Sequence, residues 1–256
     1  MKILVAIKQV PSRDSQLKVD AAGRWVDESD LTFEINEPDA FALEEALQLR
    51  EKHGGEVVAL CAGGARATSS VREALAKGAD RAVHVVEENL AAVDTLPLGQ
   101  LLAKAIAAEN PDLVLTGLQS DDFGHGQTGV IAAELLGLPH TTLVMQVEVA
   151  EGSIRVKREL EDGWFQHITL PLPAVLTIQS GINKLRYATL MGIKKARAKE
   201  IKTTTATELG VSLEASAPIE RVYAPPRSKQ TVMLEGSAQE QAAQLVEKLR
   251  REVRVL

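Results

Sequence analysis

The residues best suited to chemistry lie in one glycine-rich segment, LVLTGLQSDDFGHGQTGVIAAELLG at 113–137. The segment has the pattern of a strand, a loop and a helix, and Gly124, Gly126 and Gly129 match the spacing of the dinucleotide-binding fingerprint. That fingerprint normally turns directly off its strand, whereas residues 118–123 intervene here. The match therefore does not by itself predict a dinucleotide site.

What the loop does predict is an anion site at the start of the following helix. Backbone N–H groups around Gln127, Thr128 and Gly129 would point at a ligand, and the Thr128 hydroxyl adds a donor. The loop contains no lysine, so a triphosphate with magnesium is poorly provided for. We predict a phosphate of a modest nucleotide; the alternative is a structural glycine loop that binds nothing.

A second loop, CAGGAR at 61–66, follows another apolar run, and its Arg66 can supply positive charge. Cys61 abuts the apolar run, so we predict a small buried side chain and not a nucleophile. His125 in the glycine loop can contact a ligand but has no acid–base partner in the pattern. The two loops together indicate binding without catalysis.

The remaining motifs argue against several enzyme classes. The histidines show no zinc spacing, and a single cysteine cannot hold an iron–sulfur cluster. Neither a Walker lysine loop nor a Gly-x-Ser-x-Gly elbow occurs. We therefore expect no metal site and no catalytic residues.

Alternating elements must position these loops. Apolar runs predict strands, and amphipathic periods between them predict helices. The predicted strands are 3–7, 56–60, 81–86, 113–116 and 142–149, and the predicted helices are 40–52, 67–77, 97–109 and 127–136. Asn36 is predicted to cap the first helix, with Pro38 and Asp39 in its first turn. Such alternation predicts an α/β, doubly wound, mostly parallel sheet that binds ligands at the carboxyl ends of its strands.

The alternation ends near residue 150. Residues 151–180 predict a hairpin with a tight turn at Asp162 and Gly163, because Asp-Gly supplies the positive φ that such a turn needs. The doubled proline of this segment leads into a buried strand. Residues 181–236 have few apolar periods, and 237–251 predict a final charged helix. We divide the chain into an α/β domain at 1–180 and an extension at 181–256.

Composition and charge describe an ordinary globular protein with one unusual segment. The 256 residues are 45% hydrophobic and 25% charged, the lone cysteine excludes an internal disulfide, and no apolar stretch approaches the roughly 20 residues of a membrane span. The N-terminus lacks a secretory pattern, so we expect a cytoplasmic protein without membrane insertion. The net charge is -6, yet residues 184–202 contain seven basic residues and one acidic residue.

This basic arm, 184–202, encloses the apolar tip Tyr187–Met191. An apolar tip amid positive charge suits a protein contact better than a phosphate track, so we do not expect nucleic acid as a partner. A solvated basic segment that binds nothing is the alternative.

One stretch, VKRELEDGWFQHITLPLPAVLT at 156–177, closely resembles the signature of the beta subunit of electron-transfer flavoproteins. In that pattern a basic residue, here Arg158, precedes the acidic-glycine turn and Gln166 follows it. Pro173 then opens an apolar strand that ends in a small residue, Thr177. The likeness extends in order to LVAIKQV, Asn-Glu-Pro at the first helix, CAGGAR, the glycine loop and RYATLMGIKKARAK.

The resemblance implies a Rossmann-like, adenine-nucleotide-binding domain whose extension wraps on a partner. That partner is an alpha subunit carrying the redox-active FAD, while the beta subunit itself holds AMP as a structural nucleotide. The AMP contacts implied for this chain are Ala6, Asn36, Glu37, Pro38, Asp39, Ala62, Gly117, Asp122, Gly124, Gly126, Gln127, Thr128 and Gly129.

The resemblance also implies that the basic arm docks donor dehydrogenases, with Leu190 as the inserted anchor. The other docking residues it implies are Tyr187, Met191, Lys194 and Lys195. The protein would then be an electron carrier that serves a quinone-linked acceptor and is not an enzyme alone.

The glycine loop departs from the AMP-type pattern, because Gly126 stands where that pattern has Asn. Electron-bifurcating relatives, which bind a second FAD in this subunit, also carry a small residue there. Gln127-Thr128-Gly129 is of the AMP type, and we favour AMP. Two functions of other classes stay open: a stand-alone NAD-dependent oxidoreductase and an adenine-nucleotide sensor module.

Overall fold

A computed structural model describes residues 1–88, 90–226 and 231–255. The chain forms two compact units, Met1–Val222 and Tyr223–Leu256. Residues 181–222 thus belong to the first unit, whereas the sequence placed the boundary at residue 180. None of the helices in the described ranges is long and apolar enough to cross a membrane.

A nine-stranded sheet forms the centre of the first unit. Its strands are β1 (Lys2–Ile7), β4 (Glu56–Gly63), β5 (Arg81–Val86), β6 (Leu113–Gly117), β7 (His140–Ala150), β8 (Ser153–Glu159), β9 (Phe165–Pro171), β10 (Ala174–Ile178) and β11 (Ile201–Thr204). They lie in the order β11-β5-β4-β1-β6-β10-β7-β8-β9. The strands from β11 to β7 are parallel, and β7, β8 and β9 pair antiparallel. A separate short pair, β2 (Gln9–Pro11) and β3 (Phe33–Ile35), is antiparallel.

Helices cover both faces of this sheet, as the alternating pattern predicted. They are α1 (Glu37–His53), α2 (Thr68–Lys77), α3 (Thr95–Glu109), α4 (Thr128–Leu136) and α5 (Leu190–Ala196). Leu43 and Leu47 of α1 pack into one apolar cluster, and Leu101 and Ile106 of α3 pack into the other. Because both faces are covered, the central strands are continuous apolar runs. The doubly wound, mostly parallel fold is therefore confirmed.

The predicted hairpin also forms. Asp162 has φ 56° and Gly163 has φ 76°, the left-handed geometry that was expected at the turn between β8 and β9. β10, which follows the second proline, is buried along its whole length and lies between β6 and β7. The signature stretch thus supplies one fully buried strand and one exposed edge strand, β9.

Several elements lay outside the sequence prediction. β2 and β3 frame the long loop 12–32, and β11 and α5 lie in the segment that was expected to lack regular structure. All of them are short, and short elements carry too few periods for a pattern to be recognised. In the second unit, α6 (Ala238–Lys248) starts with a capping box in which Ser237 accepts the N–H of Glu240.

Candidate functional site

A switch point in the sheet creates the candidate site. β1 and β6 are neighbouring parallel strands. The chain leaves β1 for α1 on one face of the sheet and leaves β6 for α4 on the opposite face. Loops that diverge in this way leave a crevice at the carboxyl ends of the strands, where open α/β sheets bind ligands.

A cleft of about 470 Å³ lies at this point, within the range of small-molecule sites. Most of the predicted nucleotide contacts line it: Ala6, Asn36, Asp39, Ala62, Gly117, Asp122, Gly126, Gln127, Thr128 and Gly129. Glu37, Pro38 and Gly124 belong to the same turn or loop but are not among the lining residues. Loops from three strands and the start of α4 thus converge on one space.

Asp39 ties the two diverging strands together. Its side chain is buried, and it accepts the backbone N–H of Lys8 at 2.8 Å and that of Gly117 at 2.9 Å. Burial raises the pKa of this carboxyl to about 7, although the two N–H donors and Asn36 act against the rise. The first turn of α1 therefore clamps the ends of β1 and β6 at the floor of the cleft.

Asn36 stands at the start of α1, as predicted, but its side chain does not cap the helix. The residue occupies the N-cap position but makes no side-chain cap bond. Its Nδ2 instead donates to the carbonyl of Gln119 at 2.9 Å, and its Oδ1 accepts the N–H of Asp121 at 2.8 Å. Asn36 thus satisfies two backbone polar groups of the glycine loop after β6.

Two glycines allow the backbone to approach closely at the cleft. A Cβ on Gly117 would lie 2.3 Å from Oδ1 of Asp39, and one on Gly129 would lie 2.6 Å from Oγ1 of Thr116. α4 therefore begins directly against β6. Gln127, at the N-cap, makes no side-chain cap bond, so the first N–H groups of α4 have no side-chain acceptor there. Free N–H groups at a helix start can bind an anion, and the anion site stays a prediction.

Lys8 is a cleft residue that the sequence reading missed. Its Nζ lies 2.6 Å from Oδ1 of Asp122 and 4.6 Å from the ring centroid of Phe123. Desolvation acts to raise the pKa of Asp122, but Lys8 and the hydrogen bonds of the loop outweigh it and hold that pKa below its ordinary value. A lysine directly after an apolar strand, in LVAIKQV, was the signal that pointed to it.

The loop 12–32 closes the cleft with residues that carried no sequence signal. Trp25 stacks on Phe123 with ring centroids 5.2 Å apart. Arg66, the last residue of the CAGGAR loop, lies over the ring of Phe33 and forms an ion pair with Glu28. The two cations of the cleft that come from loops after β1 and β4 are thus already paired with carboxylates.

Cys61 is the small buried side chain that was expected. It is fully buried, and burial together with the nearby Asp39 raises the pKa of its thiol to about 12. A thiol that holds its proton so firmly is not a nucleophile at neutral pH.

The predicted docking residues form a second, exposed feature on α5 and the turn before it. Tyr187 is 92% exposed, Leu190 86% and Met191 62%. Lys194 and Lys195 are also exposed on the same short helix. Ala196, by contrast, is buried. The helix therefore turns its small residue inward and its large apolar residues outward, the reverse of an ordinary surface helix.

Comparisons with known proteins agree on one family. Residues 24–209 match the family model described as the electron transfer flavoprotein domain. The chain is 38% identical over 257 residues to the electron transfer flavoprotein subunit beta of Methylophilus methylotrophus. That alignment covers 96% of this chain and 97% of that protein.

Further relatives have the same name. The mitochondrial electron transfer flavoprotein subunit beta of Oryza sativa subsp. japonica is 38% identical, and the electron transfer flavoprotein subunit beta of Bacillus subtilis is 34% identical. Both alignments cover the whole of each chain. The similarity therefore extends over the full length and is not confined to one motif.

Proposed function

The chain belongs to the electron transfer flavoprotein beta-subunit family, and from that premise we propose that its cleft binds AMP as a structural nucleotide. We further propose that the chain pairs with an alpha subunit, supports the FAD held mainly by that subunit, and docks donor dehydrogenases through the basic arm. Its family consists of electron carriers, so its part in the reaction is binding and positioning.

The observation that carries the AMP proposal is the cleft at the switch point. Thr128 and Gly129 offer donors at the uncapped start of α4, and apolar side chains such as Leu102 and Val114 line the wall behind them. Such a site has one anion-binding end and one apolar surface, which suits a nucleoside monophosphate.

The charges of the cleft also favour a single phosphate. Lys8 is paired with Asp122, and Arg66 is paired with Glu28. A longer phosphate chain would have to displace one of these carboxylates to gain a cation. A second FAD, the alternative for an electron-bifurcating type, has a pyrophosphate and a larger body to accommodate. AMP is the better fit to the donors present.

In this proposal the FAD of the alpha subunit supplies the redox chemistry, and the residues of this chain do the rest. Asp39 and Asn36 hold the loops that contact the nucleotide, and Thr128 orients its phosphate. Leu190 and the exposed lysines of the arm hold a dehydrogenase close enough for electron transfer. A quinone oxidoreductase as the acceptor and a cytoplasmic location belong to the same proposal; one relative is named as mitochondrial.

The proposal is tested by coexpressing the chain with an alpha-like subunit from the same genome. The complex is purified, and the flavin and adenine nucleotide that it releases on denaturation are quantified. We expect one FAD and one AMP per heterodimer. Two FAD without AMP would assign the electron-bifurcating type instead, and failure to form a complex or to retain flavin would contradict the proposal.

The same purified protein also tests the two alternative functions, a stand-alone oxidoreductase and a nucleotide sensor module. NADH oxidation by the chain without a partner would favour a stand-alone oxidoreductase. AMP binding without any flavoprotein partner would favour a nucleotide sensor module. Neither explains why α5 presents Leu190 and Met191 to solvent.

A further inference from the structure

We propose that Arg186 is a positioning residue that holds the basic arm in a preformed docking geometry. The inference rests on the proposed docking function, and it adds the reason why the arm is ordered before a partner arrives. It also divides the positive charges of residues 184–202 into those that hold the arm and those that face a partner.

Arg186 joins the arm to α1 through two carboxylates. Its Nε lies 2.7 Å from Oε2 of Glu44, and its Nη1 lies 2.6 Å from Oε1 of Glu51. Nη2 adds bonds to both carboxylates, at 3.0 Å and 3.3 Å. Glu44 is buried, while Glu51 is half exposed. The bond from Arg186 holds the pKa of Glu51 below its ordinary value.

This pairing is the strong form of a charged contact. The guanidinium is bidentate to Glu44, and bidentate geometry fixes orientation as well as distance. Asn183, three residues earlier, donates to the carbonyl of Phe41 at 3.1 Å and to Glu45 at 3.0 Å. The chain that leads into the exposed tip is therefore attached to α1 at two points.

Gly192 attaches the other side of the tip. A Cβ there would lie 2.3 Å from the carbonyl oxygen of Ala76, so only glycine lets α5 approach the end of α2. Thr189 caps α5 by accepting the N–H of Gly192 at 3.0 Å. Arg72 of α2 donates to the carbonyl of Ala196 at 2.7 Å. A helix of one to two turns would not persist alone, and these contacts explain why it forms.

Lys199 is a second basic residue of the arm that faces inward. Its Nζ donates to the carbonyl of Leu75 at 3.0 Å and also to the carbonyl of Ala79. Burial lowers the pKa of this lysine from its ordinary value. The exposed basic residues of the arm are Lys184, Lys194, Lys195, Arg197 and Lys202. These five face solvent, and Lys194 and Lys195 lie on the same helix as Leu190 and Met191.

This division of the positive charges indicates which kind of partner surface would bind the arm. An apolar socket takes Leu190 and Met191, and carboxylates around the socket pair with the exposed cations. Arg186 and Gly192 already hold the backbone of the arm in one conformation before a partner binds. Docking therefore does not have to order that backbone, and no further conformational entropy of the arm is lost on binding.

The test uses the purified heterodimer and a donor dehydrogenase from the same organism, isolated by its ability to reduce that heterodimer. The variant is Arg186→Gln combined with Glu44→Gln, so that no buried carboxylate is left unpaired. We expect faster amide hydrogen exchange at residues 187–196, unchanged flavin content, and a KM for the heterodimer raised about tenfold with kcat unchanged. The KM rises about tenfold when the docking-competent conformation falls to about a tenth of the population.

Gly192→Ala tests the same idea from the α2 side and should give the same split between KM and kcat. Lys194→Gln is the matched control, since it removes an exposed cation and should not alter hydrogen exchange. If the double variant leaves KM and exchange unchanged while Leu190→Ala slows electron transfer, the positioning role is wrong and the docking function stands. If Leu190→Ala itself has no effect, the docking function is wrong.

Discussion

The cleft and the arm place side chains in opposite ways. In the cleft, the carboxylate of Asp39 is 7% exposed and binds two backbone N–H groups. On the arm, Leu190 is 86% exposed and Arg186 holds the backbone beneath it. The cleft hides a polar group that the fold needs, and the arm exposes an apolar group that the fold does not need. Stability and partner binding should therefore respond to different residues.

The largest effect is expected from Gly117→Ala. The new Cβ would overlap the carboxylate and backbone of Asp39, so the clamp between β1 and β6 must shift. We expect a loss of about 3 kcal/mol in the free energy of unfolding, measured by urea denaturation. Gly152→Ala is the control, because it has positive φ but open space around it, and it should cost only about 1 kcal/mol. Equal losses in the two variants would contradict the clamp.

A pH dependence follows from Asp39. Its pKa is raised from 3.8 to about 7, so the folded state binds this proton more tightly than the unfolded state. The stabilising contribution is present below the lower value and is lost as the pH rises through about 7. The slope is at most about 1.4 kcal/mol per pH unit. Asp39→Asn does not titrate, so the difference between its unfolding free energy and that of the parent should vary over this window. A constant difference would show that Asp39 is ionised throughout.

Leu190→Ala should separate the two regions. Its side chain is exposed, so the free energy of unfolding should change by less than about 0.5 kcal/mol. If Leu190 is an anchor in a partner socket, electron transfer from a donor dehydrogenase should weaken by about 2 kcal/mol, or roughly thirtyfold in kcat/KM. The measurement pairs thermal unfolding with stopped-flow reduction. A variant that is destabilised but still accepts electrons at an unchanged rate would show that Leu190 serves the fold and not partner binding.

Thr128→Val sharpens the prediction for the cleft. It removes one hydroxyl donor at the start of α4 while keeping a branched side chain of similar size. We expect AMP to bind about three- to tenfold more weakly, the value of one neutral hydrogen bond. Isothermal titration on heterodimer freed of nucleotide measures it. Thr169→Val, at an exposed position of β9 that does not line the cleft, controls for loss of a hydroxyl. Identical affinity in Thr128→Val would place the phosphate elsewhere.

The smallest effect concerns salt. Raising ionic strength from about 0.15 M to 1 M shortens the Debye length from about 8 Å to 3 Å, so docking through exposed cations should weaken. Replacing both Lys194 and Lys195 with Gln should reduce that salt dependence. Lys104→Gln, an exposed change on α3, should not. A salt response unchanged by the double variant would exclude these lysines from the docking surface.

Much of the fold was predictable because repeated local patterns carry it. β5 was predicted at the bounds that the structure gives, and the turn at Asp162 and Gly163 has the expected geometry. The loop 12–32 was not predictable as part of the site. Trp25 reaches Phe123 across almost a hundred residues of chain, and no periodic pattern encodes such a contact.

The sequence by itself determined the alternating elements, the glycine loop at the start of α4 and the excess of positive charge at 184–202, because each depends on residues that are near one another in the chain. Only the tertiary structure decided what those residues do. In the folded chain the side chain of Asn36 binds the glycine loop and does not cap the helix, and Asp39 is buried between two strand ends. It also turned Arg186 inward and Leu190 outward, because that choice depends on the carboxylates of α1, which lie far away in sequence and adjacent in space.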